Sequence, residues 1–140
     1  EKLMNLDKFK HQHLDILDSI AELRKLAHDG VARNAERIAR RIVAMSSVIK
    51  LHLAVEDKAL YPALQRQGDQ GLAELGRHYQ DEMQSIAAAY EGFALRWNTP
   101  RRLEQDEAGF RHDANTVLRQ VFERMKREDK EFYPRVEALG

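Results

Sequence analysis

The sequence predicts an all-α fold, an antiparallel up-down four-helix bundle, and three observations carry that expectation. Apolar residues recur at spacings of three and four through four long segments that are separated by Gly, Asn or Pro breakers. Ala, Leu, Glu, Arg and Lys dominate, and no stretch shows the alternation and β-branched enrichment of a strand. A nonapeptide also occurs twice, Glu56-Asp57-Lys58-Ala59-Leu60-Tyr61-Pro62-Ala63-Leu64 and Glu128-Asp129-Lys130-Glu131-Phe132-Tyr133-Pro134-Arg135-Val136. Each copy ends a helical segment, which implies two helix pairs related by a pseudo-twofold axis.

The first helix is expected over about residues 3–28, with Leu6, Phe9, His13, Leu17, Ile20 and Leu23 or Arg24 on one stripe and a stop at Asp29-Gly30. The second, over about 32–64, carries Ile38, Ile42, Met45, Ile49, His52 and Glu56, so its inward stripe turns polar partway along. The third, over about 72–97, carries Leu75, His78, Glu82, Ile86, Ala89 and Phe93 before the break at Asn98-Thr99-Pro100, where Thr99 can cap and Pro100 can open the next helix. The fourth, over about 101–139, carries Phe110, Ala114, Val117, Val121, Met125, Glu128 and Phe132, with Gly109 and Pro134 as its weak points. Short connections after the first and third helices make each an antiparallel hairpin with its successor.

Composition narrows the function. The 140 residues suit one domain, residues 1–140, long enough to bury a core. Lys plus Arg and Asp plus Glu balance at 23 each, leaving no net field to draw the protein onto nucleic acid or an anionic membrane. The absence of cysteine excludes disulfides, thiolate zinc sites, Cys-ligated iron–sulfur clusters and a Cys nucleophile. No apolar run approaches the roughly 18 residues of a membrane span, and Glu1-Lys2-Leu3-Met4 lacks a signal-peptide core. A soluble, cytoplasmic protein is expected.

The chemistry resides in the polar residues on the apolar stripes. Helical positions i and i+4 differ by about 40° in direction and about 6 Å in height, so His52 with Glu56, and His78 with Glu82, can each aim at one point. Several buried carboxylates beside neutral imidazoles need a compensating cation, because burying an ionised carboxylate costs several kcal/mol. Mixed imidazole and carboxylate ligands suit iron, manganese or zinc, with iron the first choice, and bundles hold two-metal centres with carboxylates from facing helices. On the first helix His13, bracketed by Phe9, Ile16, Leu17 and Ile20, is the better candidate than His11, which shares a polar face with Asp15 and Asp18. His28 lies at a helix end, and His112 is about 160° around the helix from Glu128. Tyr61 and Tyr133 are expected chiefly to cover the bundle end, and the prolines to end or kink their helices.

These residues resemble the hemerythrin-like, HHE cation-binding family: a lone His on helix one, His-x-x-x-Glu ending in an apolar-Tyr/Phe-Pro step on helix two, a His with a second ligand four residues on in helix three, and a His plus carboxylate on helix four. The resemblance covers nearly the whole chain and is strongest from His52 to Pro62. It implies that His13, His52, Glu56, His78, Glu82 and Glu128 bind a pair of non-haem irons, with Glu56 and Glu128 bridging. The fourth helix departs from the pattern, since Arg124 stands four residues before Glu128 where a His is expected. Arg cannot ligate. Glu123 could serve only through a local irregularity of the helix; otherwise the fourth helix adds no further ligand and Arg124 forms an internal ion pair with the carboxylates. Fewer imidazoles and more hard carboxylates favour the ferric state and argue against reversible oxygen carriage.

The leading expectation is therefore a di-iron protein that binds, senses or reacts with O2, peroxide or NO, or handles iron. A helical interaction module with a buried His/Glu network or a single zinc is the alternative. Ferritin-like oxidation of ferrous iron is a third.

Overall fold

The computed structural model describes residues 5–138, and within them every regular element is helical. The expected helix start at Leu3 and end at Leu139 lie outside the described residues. Among the described residues, no helix is long and apolar enough to cross a membrane.

Helix α1 spans Asp7–Asp29, with Asp7 in its first turn and His28 in its last, the charge order that suits the helix dipole. Gly30, at φ 138°, ends it in a conformation that L side chains rarely adopt, and its N–H reaches the carbonyls of Leu26 and Ala27. The Asn34 amide donates to the carbonyl oxygens of Leu26 and Gly30, both at 3.1 Å, so the connection also satisfies the end of α1. Helix α2 (Ala35–Val55) buries Ile38, Ile42, Met45, Ile49 and His52, the stripe expected for it.

At Glu56 the backbone widens into a π-helical turn, Glu56–Leu60, before α3 resumes over Tyr61–Arg66. Proline explains the irregularity. In a regular helix the ring of Pro62 would clash with the carbonyl four residues back, and the wider turn lies at that place. Pro62 then falls in the first turn of α3, where its missing N–H is harmless. The backbone thus stays helical past Pro62, as far as Arg66.

Helix α4 (Gln70–Trp97) is capped by Asp69, whose carboxylate accepts from the Leu72 N–H at 3.0 Å. The single fourth helix expected from the sequence is divided. Helix α5 (Pro100–Gln105) ends at Asp106, which turns out to φ −145° and caps α6 (Glu107–Arg127) by accepting from the Gly109 N–H at 2.9 Å. A second π-helical turn, Glu128–Phe132, precedes α7 (Tyr133–Glu137), reproducing the first copy of the repeat.

The packing runs in a closed cycle, α1 against α2, α2 against α4, α4 against α6 and α6 against α1. Two apolar clusters fill the interior. The larger includes Ile16, Ile49, Met83, Val121 and Met125, and the smaller is built from Leu6, Phe9, Leu60, Tyr61, Tyr79, Phe132 and Tyr133. Between them on their helices lie the buried polar residues His13, His52, Glu56 and Glu128, and buried Arg124, beside Met125, reaches the same layer through Glu128. A polar layer is thus sealed on both sides by apolar side chains.

Away from that layer the larger cluster includes Tyr90, whose hydroxyl donates to the Ile42 carbonyl at 2.6 Å. Tyr90→Phe is expected to lower stability by about 0.5–1.5 kcal/mol in urea unfolding, the net worth of one such bond, and to leave metal content unchanged.

Candidate metal centre

The centre is assembled from α1, the end of α2 and the two π-helical turns. His13 comes from the first half of α1, His52 from the last turn of α2, and Glu56 and Glu128 open the two π-helical turns. All four are fully buried at 0% exposure. The Nε2 atoms of His13 and His52 lie 3.1 Å apart. Glu128 Oε1 is 2.8 Å from the first and 3.5 Å from the second, and Glu56 Oε2 is 3.3 Å from His52 Nε2.

The far nitrogens decide what the near ones can do. His13 Nδ1 is 2.8 Å from Asp129 Oδ1, and His52 Nδ1 is 2.8 Å from Gln12 Oε1. Both partner oxygens are acceptors, so both rings carry their proton on Nδ1. In the neutral rings, two Nε2 lone pairs therefore face each other and two carboxylates. Only a proton or a cation reconciles them. In the metal-free protein a proton serves: burial lowers the His52 pKa, but its contacts with Glu128 and Glu56 outweigh burial and raise it to about 9. Burial disfavours the charge of Glu128 too, yet His13, His52 and Arg124 together hold its carboxyl well below the usual range.

The donor set fits a transition metal. One ligand atom each from His13, His52 and Glu128 falls within 4.8 Å of the others, and this is the one such group among the described residues. Donors sharing a cation at about 2.1 Å, at right-angled to tetrahedral spacing, sit about 3.0–3.4 Å from each other. The separations above straddle that range. Asp129 and Gln12 hold the ring tautomers as outer partners of metal-bound histidines do.

Tyr133 lies against the same cluster, its hydroxyl 2.9 Å from Glu56 Oε2, 3.2 Å from Glu128 Oε1 and 3.2 Å from His13 Nε2. Burial, with the two carboxylates nearby, pushes its phenol pKa up, so it stays a neutral donor. The π-helical turn puts it there: a step of five residues, closed by the Tyr133 N–H on the Glu128 carbonyl, brings Glu and Tyr to one face.

Three residues expected at the centre are elsewhere. On α4 the buried stripe is Leu72, Gly76, Tyr79, Met83, Ala87 and Tyr90, about 100° around the helix from the expected line through Leu75, His78, Glu82 and Ile86. His78 is exposed, and Tyr79 takes the inward position. Glu82 is half exposed at the rim, where it pairs with Arg124 Nη1 at 3.0 Å and with Arg127. Glu123 is exposed on α6, because the irregularity follows Glu128 and the helix before it is regular. The internal ion pair raised for Arg124 is present, with its Nε donating to Glu128 Oε2 at 2.8 Å.

Sequence reasoning missed Gln12 and Asp129 and understated Tyr133. The repeat contained a usable signal for Tyr133, since Glu is followed five residues later by Tyr-Pro in both copies and both form a π-helical turn; it contained none for Asp129, whose counterpart Asp57 bonds Gln80 instead. Gln12 carried none; it reads as a polar neighbour of His13.

The model of the Hemerythrin HHE cation binding domain matches residues 4–136. The chain belongs to that family. Comparisons with curated proteins and with solved structures returned no match.

Gln12→Ala and Asp129→Ala are each expected to weaken cation affinity by about 10–100-fold, the usual effect of losing an outer hydrogen-bond partner. Competition titration against a chromogenic chelator measures it. Unchanged affinity in both would remove the tautomer argument.

Proposed function

We propose that the chain is a non-haem iron protein in which His13, His52, Glu128 and Glu56 hold the cation and a small ligand, O2, peroxide or NO, reaches it. The observation that carries this reading is the pair of opposed Nε2 atoms, each of which offers a lone pair in the neutral ring because the ring proton is committed at Nδ1. Two imidazoles with two carboxylates favour iron or manganese over metals preferring thiolate. Iron so held would supply an open coordination position and a redox change. The remaining roles fall to this chain's own groups. Tyr133 offers its hydroxyl hydrogen beside the cluster, Phe9, Phe132 and Tyr61 keep bulk water out, and Asp129 and Gln12 orient the imidazoles.

We further propose that the four long helices run up and down in one antiparallel bundle. Supporting this, His13 in the first half of α1 meets His52 at the end of α2, and α2 and α6 both enter from the larger cluster and leave through the smaller.

Elemental analysis of untagged protein, with its absorption spectrum, tests the function. Stoichiometric iron with charge-transfer absorption is expected, and His13→Ala and His52→Ala should each lose it. Asp57→Ala is the control, because Asp57 faces α4 and accepts from Gln80 Nε2 at 3.0 Å, away from the cluster. Stoichiometric zinc without visible absorption would favour the interaction-module alternative, and no metal after anaerobic ferrous loading would end the metal reading.

A further inference from the structure

The internal repeat sets two halves of the polar layer side by side. It equates α2 and α3 with α6 and α7, so Glu56 corresponds to Glu128, Tyr61 to Tyr133, and His52, four residues before Glu56, to Arg124, four before Glu128. The structure realises this correspondence: each Glu opens a π-helical turn and each Tyr closes one. Around His52 the layer is completed by His13. Around Arg124 it is completed by a guanidinium and its acceptors.

Arg124 is fully buried at 0% exposure, and each of its nitrogens has a partner. Nε donates to Glu128 Oε2 at 2.8 Å and Nη1 to Glu82 Oε1 at 3.0 Å. Nη2 donates to the Tyr79 carbonyl at 2.6 Å and reaches the Tyr61 hydroxyl oxygen at 3.4 Å. The Tyr79 ring lies 4.6 Å from the guanidinium carbon and stacks on Phe132, closing the space beyond. The Glu128 carboxylate is therefore divided, with Oε1 facing the His pair and Oε2 facing Arg124.

A carboxylate with one oxygen among metal-donor groups and the other on a fixed cation has the arrangement of a bridge between two cations. Here one of the cations is a side chain. Guanidinium does not lose its charge in proteins and offers no lone pair to a metal. It repels a second ion and competes for the oxygen that ion would need. The side chains of α4 do not oppose this, since His78 is exposed and Glu82 is already paired with Arg124 and Arg127.

We propose that the Arg124 guanidinium permanently fills the place of a second cation, so that this chain binds a single metal ion, with Glu128 joining that ion to Arg124. The inference rests on the metal reading above and replaces the iron pair implied by the resemblance with one ion and one fixed organic cation. Arg124 is a positioning residue, acting on the metal through Glu128.

Manganese(II) is a suitable probe, because bound ions can be counted and their magnetic coupling read by electron paramagnetic resonance. The wild-type chain is expected to bind one ion, with the spectrum of an isolated centre. Arg124→His, which removes the fixed charge and adds a ligand nitrogen, is expected to take up a second ion coupled to the first. Arg124→Lys keeps the charge and is expected to stay at one ion, which guards against a poorly folded histidine variant. Two coupled ions in the wild type would overturn this inference while leaving metal binding intact, and so would a folded Arg124→His that remains at one ion. No bound ion in the wild type would overturn the metal reading itself and the inference with it.

Discussion

The carboxylate of Glu128 is the point on which the interior depends. It is fully buried, and its two oxygens are committed to different partners, Oε1 to the imidazoles of His13 and His52 and to Tyr133, Oε2 to Arg124. An ion of this kind costs several kcal/mol to bury, and removing one partner from a buried pair typically costs about 3–5 kcal/mol. The layer is therefore tolerable only when complete. Completing it takes side chains from α1, α2, α6 and α7 and both the Glu82 side chain and the Tyr79 carbonyl of α4, so the demand for charge balance ties together the helices that the apolar clusters merely bring close.

Two backbone irregularities make this layer possible. In a regular helix a residue five positions on points about 140° away, and neither Tyr61 nor Tyr133 could return to the glutamate that precedes it. The π-helical turns ahead of Pro62 and Pro134 remove that obstacle. Tyr133 then touches Glu56 and Glu128, while Tyr61 accepts from Arg124 and lies 3.5 Å from Glu56 Oε1. A residue pattern that looks like a helix stop thus serves to extend the hydrogen-bond network of the site.

Legibility in the sequence followed how strongly each residue was constrained by its own helix. The stripe of α2 from Ile38 to Glu56 was readable because its apolar residues and the repeat agree on one phase. His13 was readable because its apolar neighbours left it no polar face. On α4 the periodicity admits two phases about 100° apart, one through His78 and Glu82 and one through Tyr79 and Met83. The buried one carries the larger aromatic surface, and the two charged-type residues go to solvent or the rim. The capping of α6 by Asp106 was hidden inside a segment whose apolar spacing continues across it.

The sequence by itself determined the helical class, the repeat and its two glutamates, and a histidine on each of the first two helices, because these follow from local periodicity and short-range spacing. Tertiary structure decided which donors meet. The phase of α4, the pairing of each imidazole's far nitrogen with Gln12 or Asp129, and the placing of Arg124 against Glu128 all depend on neighbours distant in the chain. A buried charge selects its partner by proximity in the folded interior, where the cost of leaving it alone is high, and that cost has no signature along one helix.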